Sequence, residues 1–330
     1  MFPYDMLDVT KYDFGFILTS RGCPFDCIYC SQRAISKRVF RYMKTEKVIE
    51  ELDYLVNGLK IPNITFFDDY FTPNRKRVLE LCEAMRAKEF HKTCSFGVQT
   101  RADSVDQELL GEMRAAGFNS IMFGTETASE EVMTNIYKEQ TVADNATAIK
   151  EATKAGFNVE TTYIYGLPGE TFEARLEALR FSREMGVSRA RFNNITPYPG
   201  TTMYRIAKEE GGLVIENDWD NFSSAAAVTA GLKKKYSMPY TPPGMTEREL
   251  TGTVFLANLL FYANFSKAKA LLNPWQKGSG KWFEFPWRDL WNPLRVLDLG
   301  ILATTVILRT IYYPLVEKGC RKFFFKGLRI

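Results

Sequence analysis

The chain has 330 residues, enough for one large catalytic domain and a smaller addition. Hydrophobic residues make up 45% of it and charged residues 25%, a balance that excludes an intrinsically disordered chain. The net charge of +4 is too small for a protein that binds nucleic acid through charge, so we expect no nucleic-acid partner. Residues Met1–Thr10 carry Asp5 and Asp8 and no long apolar run, so a secretory signal is not expected.

The six cysteines are spread unevenly along the chain. Cys23, Cys27 and Cys30 fall close together, whereas Cys82, Cys94 and Cys320 are scattered. A disulfide framework is typical of short secreted chains, and this chain has neither the size nor the spacing for one. The cysteines therefore predict a reducing, cytoplasmic location, with the scattered thiols mainly as small core residues.

Short β-rich runs alternate with helical patterns in the first two-thirds of the chain. The predicted strands are Phe14–Thr19, Ile64–Phe67, Cys94–Gln99, Ser120–Phe123, Val159–Tyr165 and Arg189–Ile195. The predicted helices are Thr45–Leu59, Arg75–Phe90, Asp106–Ala116, Thr141–Ala155 and Phe172–Met185. This alternation predicts an α/β fold with a parallel sheet and right-handed crossovers. Six units favour a partial (β/α)6 TIM-like barrel, whose active site lies at the carboxyl ends of the strands.

The sequence changes character near Gly212. After that residue it becomes helical in pattern and, toward the end, rich in aromatic and basic side chains. We therefore divide the chain into a connector at residues 1–12, the barrel at 13–212, and a smaller, mainly helical, aromatic-rich extension at 213–330.

The extension holds most of the tryptophans. These are Trp275, Trp282, Trp287 and Trp291. The apolar run Leu299–Leu308 follows, and it is too short to cross a bilayer, which takes about 20 residues. Either the segment lies in a membrane interface, with Lys318–Arg329 facing anionic lipid at the inner face, or it packs on the open edge of the barrel. A site for a partner protein is a third interpretation.

The first predicted strand leads directly into a cysteine motif. The run Ser20–Cys30 spaces its cysteines as C-x3-C-x2-C. Three thiolates on one loop could ligate three irons of a [4Fe–4S] cluster and leave the fourth iron open to a substrate. The spacing alone also allows a zinc site completed by a distant ligand such as His91, or a loop of free thiols.

The motif resembles the signature of the radical S-adenosylmethionine (SAM) superfamily, in which an aromatic residue, here Tyr29, precedes the third cysteine. Thr19–Cys30 is most similar to the branch whose members usually carry an N-terminal cobalamin-binding domain. Further segments resemble the strand-end motifs of that branch in the same order, down to about residue 210. They are Phe66–Phe71, Gln99–Asp103, Gly124–Thr127, Tyr165–Glu170 and Pro197–Thr201.

This resemblance implies an enzyme with a [4Fe–4S] cluster on Cys23, Cys27 and Cys30 and with SAM on the open iron. Family members cleave SAM reductively into methionine and a 5′-deoxyadenosyl radical, which takes hydrogen from an unactivated position. The substrate is expected to be small and apolar or lipid-like, and the reaction a rearrangement, cyclisation, oxidation or methylation. A flavodoxin or ferredoxin type of electron donor is implied. The start of the chain resembles the connector that follows a cobalamin domain, so cobalamin is expected only if another chain supplies it.

The resemblance and the chemistry of SAM together suggest roles for the strand-end residues. Arg101 is expected to pair with the SAM carboxylate, and Glu126 to accept from the ribose hydroxyls or meet the sulfonium. Asp69 and Tyr70 belong to a segment expected to hold the ammonium group. The residues expected to border the adenine are Tyr29, Tyr165 and Gly166. Each acid could instead cap a helix, and the arginine could form an ordinary ion pair.

Two other functions fit part of the sequence. A tRNA-modifying methylthiotransferase shares motif types with this branch, but the extension does not look like its RNA-binding β-barrel. A non-catalytic iron–sulfur scaffold or electron-transfer protein would need the cysteines but not the SAM-binding motifs.

Overall fold

The computed structural model describes residues 4–8, 11–216, 219–224, 237–262 and 306–330. The four clustered tryptophans of the extension lie outside the described residues, and so do residues 299–305 of the apolar run. The chain consists of one parallel sheet covered by helices, with a short hairpin beside it.

The main sheet has six parallel strands, and their spatial order follows the chain. They are β1 (Phe16–Ile17), β4 (Asn63–Phe66), β5 (Ser95–Thr100), β6 (Phe118–Glu126), β7 (Asn158–Tyr165) and β8 (Arg189–Asn194). Each new strand is added at the same edge, as in a sheet that curls toward a barrel. The six strands overlap the six predicted ones, which confirms the α/β class and the partial barrel.

A two-stranded antiparallel hairpin, which the sequence did not predict, stands beside the first strand. It pairs β2 (Ser20–Arg21) with β3 (Arg41–Tyr42), which brings the chain on either side of the cysteine motif together. Strands of two residues are too short to show a hydrophobic period.

Helices connect the strands and follow them. Those of the barrel are α1 (Gln32–Ser36), α2 (Thr45–Asp53), α3 (Arg75–Ala87), α4 (Gln107–Ala115), α5 (Glu130–Asn135), α6 (Val142–Lys154), α7 (Phe172–Glu184) and α8 (Thr202–Glu209). Six of them begin with a side chain that accepts a backbone N–H of the first turn. These N-cap residues are Asn74, Asp106, Ser129, Thr141, Thr171 and Thr201.

The core lies between the sheet and the helices and is rich in phenylalanine. The rings of Phe66, Phe71, Phe96 and Phe118 form a group with centroid separations of 5.2–6.0 Å. In β5 every second residue is buried, as expected when successive side chains point to opposite faces of a strand. One face of the sheet therefore packs on the helices and leaves the other to line the barrel interior.

Two further helices follow the barrel: α9 (Glu247–Tyr262) covers β8 at the last edge of the sheet, and α10 (Lys318–Gly327) packs on α9 and α7. The Asn258 side chain of α9 accepts from the Phe192 N–H at 3.2 Å and donates to the Phe192 carbonyl at 2.8 Å, as a neighbouring strand would. In α10, Cys320 and Phe323 are fully buried. Within the described residues, no helix has the length and apolar character that crossing a bilayer requires.

Candidate active site

The cysteine loop runs from the end of β2 into α1, and backbone hydrogen bonds fix it at its centre. The Ile28 N–H donates to the Ile136 carbonyl at 3.1 Å, and the Met203 N–H donates to the Ile28 carbonyl at 2.9 Å. Gly22 has a positive φ of 93°, and a β-carbon there would overlap the Val39 carbonyl oxygen. A side chain at residue 22 is therefore excluded both by conformation and by space.

Two carboxylates at the end of β4 hold the entrance of this loop. Asp68 is fully buried and accepts from the Thr19 N–H at 2.6 Å and from the Ser20 N–H at 2.9 Å. Asp69 accepts from the Gly22 N–H at 2.7 Å. Asp69 was expected to hold the SAM ammonium, and the structure gives one of its oxygens this anchoring role.

Arg101 contacts the loop from the end of β5. Its guanidinium lies 3.5 Å from the centroid of the Phe25 ring and donates to both carboxylate oxygens of Asp103, at 2.9 and 2.6 Å. It also donates to the carbonyls of Lys138, at 2.8 Å, and Glu139, at 3.1 Å. Asp103 thus occupies the fork of the guanidinium that was expected to meet the SAM carboxylate, and that pairing stays a prediction. Arg101 is placed to position the loop.

The sequence did not point to Lys138, which lies next to Glu126 in the centre of the site. The Lys138 ammonium is 2.9 Å from Glu126 Oε1 and 3.4 Å from the Tyr29 hydroxyl, and all three groups are close to the cysteine loop. Burial alone would lower the pKa of Lys138, but Glu126 and Cys27 together outweigh burial, and the pKa is raised. Lys138 is therefore a buried cation. The Tyr29 pKa lies well above its usual range because of burial and then Glu126, so the phenol is neutral.

The backbone around Glu126 is adapted to this contact. Glu126 has a left-handed φ of 64°, and the register between β6 and β7 shifts at this point. A β-carbon on Gly124 would lie 2.6 Å from Glu126 Oε1 and 3.1 Å from the Lys138 ammonium. Backbone strain of this kind persists only when its surroundings enforce it, and it is frequent at functional sites.

The three thiols form the chemically distinctive part of the site. Cys27 is buried and the other two are half-buried. Burial raises the pKa of Cys23, and it raises that of Cys30 to about 11; Cys27 adds to both shifts, while Lys138 opposes them. The thiols are thus within electrostatic reach of one another and of a cation. In the described part of the chain, no three or more Cys, His, Asp or Glu side chains are arranged to hold a single metal ion. Cysteine thiolates are the usual ligands of an iron–sulfur cluster, and three of them on one loop are a donor set of that kind.

The remaining predicted residues separate into two groups. Tyr70 is buried near the loop, with its ring centroid 5.9 Å from that of Phe25. Tyr165 instead points into the helix layer, where its hydroxyl donates to the Arg175 carbonyl at 2.7 Å and its ring contacts Phe323. The Tyr165 side chain therefore lies on the helix side of the sheet, because alternate residues of β7 face opposite sides, and the expected contact of this residue with the adenine stays a prediction for its backbone.

Gly166 begins a loop that a buried carboxylate organises. The Gly166 N–H donates to Glu170 Oε2 at 2.7 Å, and burial raises the Glu170 pKa to about 8. Arg175 lies 4.0 Å from the same oxygen and pairs at 2.8 Å with Glu249 of α9. The sequence did not indicate this network, which links the loop after β7 to the C-terminal helices.

Comparison with known proteins places these features in a family context. The family model described as the Radical SAM superfamily matches residues 17–182. An uncharacterised methyltransferase of Pyrococcus horikoshii is 32% identical over 67% of this chain and 49% of its own length. The anaerobic magnesium-protoporphyrin IX monomethyl ester cyclase of Cereibacter sphaeroides is 31% identical over 82% of this chain and 39% of its own. The chain thus spans half or less of the length of these relatives.

Solved structures share the fold at low sequence identity. The radical SAM methyltransferase TsrM from Kitasatospora setae superposes with a TM-score of 0.57 at 17% identity, over 73% of this chain and 47% of that one. The cobalamin-dependent radical SAM enzyme OxsB superposes with a TM-score of 0.54 at 17% identity, over 95% of this chain and 49% of that one. These likenesses support the partial-barrel architecture.

Replacing Arg101 tests its positioning role. Arg101→Ala removes the support under Phe25 and leaves Asp103 unpaired, so we expect the anaerobically purified variant to retain less than about half of the wild-type iron. Arg101→Lys keeps the charge but loses the planar contact with Phe25. Its iron content should therefore lie between those of wild type and Arg101→Ala. Wild-type iron content in Arg101→Ala, combined with weakened SAM binding, would restore the carboxylate-binding role instead.

Glu170 predicts a pH dependence of stability. A carboxyl whose pKa is about 8 in the folded state and about 4.3 when unfolded holds more protons in the folded state between these values. Stability is therefore lost as pH rises through this window. Glu170→Gln cannot ionise, so urea unfolding should show it gaining about 2–3 kcal/mol relative to wild type between about pH 6 and pH 9. Glu184→Gln, at an exposed position, is the control; parallel curves for wild type and Glu170→Gln would contradict this assignment.

Proposed function

Because the chain belongs to the radical SAM superfamily, we propose that it cleaves SAM reductively at a [4Fe–4S] cluster on Cys23, Cys27 and Cys30, and so activates an unreactive position of a small apolar substrate. The chain is an enzyme, and its cofactors are the cluster and SAM. When bound, the cluster supplies the electron that breaks a carbon–sulfur bond of SAM. The protein's own residues bind and orient the reactants.

The observation that carries this proposal is the buried Lys138–Glu126 pair beside the cysteine loop. SAM presents a carboxylate, an ammonium group and a ribose diol. Lys138 is the cation that we assign to the carboxylate. All three nitrogens of the Arg101 guanidinium already donate, to Asp103 and to two backbone carbonyls, whereas the Lys138 ammonium keeps one N–H beyond its contacts with Glu126 and Tyr29. Glu126 is the acceptor for the ammonium or the ribose hydroxyls. Such a pair is already desolvated, so it can hold charged groups with little reorganisation.

Two considerations support an apolar small-molecule substrate, such as a lipid or a tetrapyrrole. One is the range of relatives, which includes the tetrapyrrole cyclase and, at 26% identity, a hopanoid C-2 methylase of Rhodopseudomonas palustris. The other is the helix at 306–316, which exposes an apolar stripe just before the basic helix α10. The stripe consists of Ile307, Leu308, Ile311, Tyr312, Leu315 and Val316. We include contact with the inner membrane surface in this proposal. We favour ring formation or methylation as the reaction. Methylation would require cobalamin supplied by another chain.

The decisive experiment measures cofactor and product together. Anaerobically purified protein should contain iron and sulfide, and reduction with dithionite in the presence of SAM should release 5′-deoxyadenosine. A variant with alanine at all three loop cysteines should lose both, while Cys94→Ala, which removes a thiol outside the loop, should keep both. Zinc in place of iron would exclude the cluster, and an intact cluster without 5′-deoxyadenosine would favour an electron-transfer protein.

The role of Lys138 can be separated from that of the cluster. Lys138→Met keeps the length of the side chain but removes the charge, so we expect SAM to bind at least about tenfold more weakly, with unchanged iron content. The double variant Glu126→Gln/Lys138→Met leaves no unpaired carboxylate at residue 126. It should lose SAM affinity to the same extent, because the missing charge of Lys138 is the cause. Lys138→Arg should recover part of the affinity. Wild-type SAM affinity in equilibrium dialysis of both methionine variants would remove Lys138 from the site.

A further inference from the structure

A basic, exposed surface covers the outer side of the cysteine loop. We call it the basic cap. Its cations come from β2, α1, β3 and the turns between them. They are Arg21, Arg33, Lys37, Arg38, Arg41 and Lys44, and all six are exposed.

The basic cap lies directly against the residues that flank the first cysteine. The Arg38 Nε donates to the Pro24 carbonyl at 2.8 Å, and Arg33 Nε lies 2.7 Å from Asp26 Oδ1. The Val39 carbonyl touches Gly22 so closely that no side chain fits between them. The basic cap is therefore in direct contact with the cysteine loop.

The cations of the basic cap are held in an arrangement that costs energy. Arg21 and Arg41 are direct partners across the antiparallel hairpin, and like charges in such pairs destabilise each other. Lys37 and Arg38 are consecutive left-handed residues, with φ of 51° and 64°. Within the described residues, Arg21, Lys37, Arg41 and Lys44 form no ion pair. An external anionic group would relieve this repulsion.

Exposed apolar side chains stand among the cations. Ile35 is 71% exposed and Val39 is 52% exposed. Aliphatic side chains do not stack on nucleic-acid bases, whereas apolar residues within a ring of charge are typical of a protein interface. The combination favours an acidic protein over RNA.

We propose that the basic cap is the docking surface for a small acidic one-electron carrier of the flavodoxin or ferredoxin type. This inference rests on the proposed function, which requires an electron at the cysteine loop. In each productive encounter the carrier would pass one electron to the cluster that the three thiols would hold. It leaves oxidised by one electron, flavodoxin hydroquinone as the semiquinone and reduced ferredoxin as the oxidised form. The protein's contribution is to attract the carrier by charge and hold it over the loop.

Charge reversal tests the proposal by binding as well as by electron transfer. The cap variant Lys37→Glu/Arg41→Glu/Lys44→Glu leaves the arginines that bond to the loop in place. The control variant Lys88→Glu/Lys150→Glu/Lys154→Glu makes the same change of net charge at exposed positions outside the basic cap. Binding of oxidised, acidic flavodoxin to each cluster-loaded full-length protein is measured at low and at high salt.

We expect the cap variant to bind flavodoxin about tenfold or more weakly than wild type at low salt, with the difference shrinking at high salt. Reduction by flavodoxin hydroquinone should slow in parallel, while reduction by dithionite stays unchanged. Equal effects in the cap and control variants, or failure of wild type to bind the carrier, would overturn the docking site. So would a cap variant that loses binding to RNA, measured in parallel, but keeps wild-type binding to flavodoxin. Failure of the proposed function is distinguishable, because it would appear as absence of 5′-deoxyadenosine from dithionite-reduced wild type.

Discussion

The fully buried Asp68 carboxylate is the contact on which the site depends. It accepts two backbone N–H groups and the Thr19 hydroxyl, and this ties the entrance of the cysteine loop to the end of β4. A buried carboxylate is tolerated only when its oxygens are satisfied, so the loop and the strand specify each other. Arg77, 3.7 Å away, supplies the balancing charge. The sheet thereby determines where the three thiols stand.

The interior of the site is organised by paired charges of two different kinds. The pair of Arg101 with Asp103 is closed, since the guanidinium is stacked on Phe25 and its fork is filled. The pair of Lys138 with Glu126 lies beside the thiols, and the ammonium keeps one N–H beyond its contacts with Glu126 and the Tyr29 hydroxyl. Breaking either buried pair would strand a charge, which is strongly unfavourable. The Arg101–Asp103 pair thus positions the loop, and we assign the Lys138–Glu126 pair to ligand binding.

The sequence predicted the sheet well because strand and helix periods are local properties. The spacing of the cysteines limited the candidate chemistry to a cluster, a zinc site or free thiols, and the resemblance to the radical SAM superfamily favoured the cluster. The sequence missed Lys138 because the approach of that side chain to Glu126 depends on how the chain returns after α5. Glu170 was missed for the same reason, since its partners lie on a strand end and on α9. The direction of the Tyr165 side chain was not predicted: the period of β7 shows that Tyr163 and Tyr165 share a side, but only packing shows which side meets the helices.

The central claim is that the three thiolates leave one iron of the cluster free for SAM. Mössbauer spectroscopy of protein loaded with ⁵⁷Fe, recorded with and without SAM, tests it most directly. The account predicts a cubane spectrum in which SAM shifts the signal of a single iron site, and it predicts that Lys138→Met needs more SAM to give the same shift. A spectrum that SAM leaves unchanged, or protein that contains zinc and no iron, would contradict it.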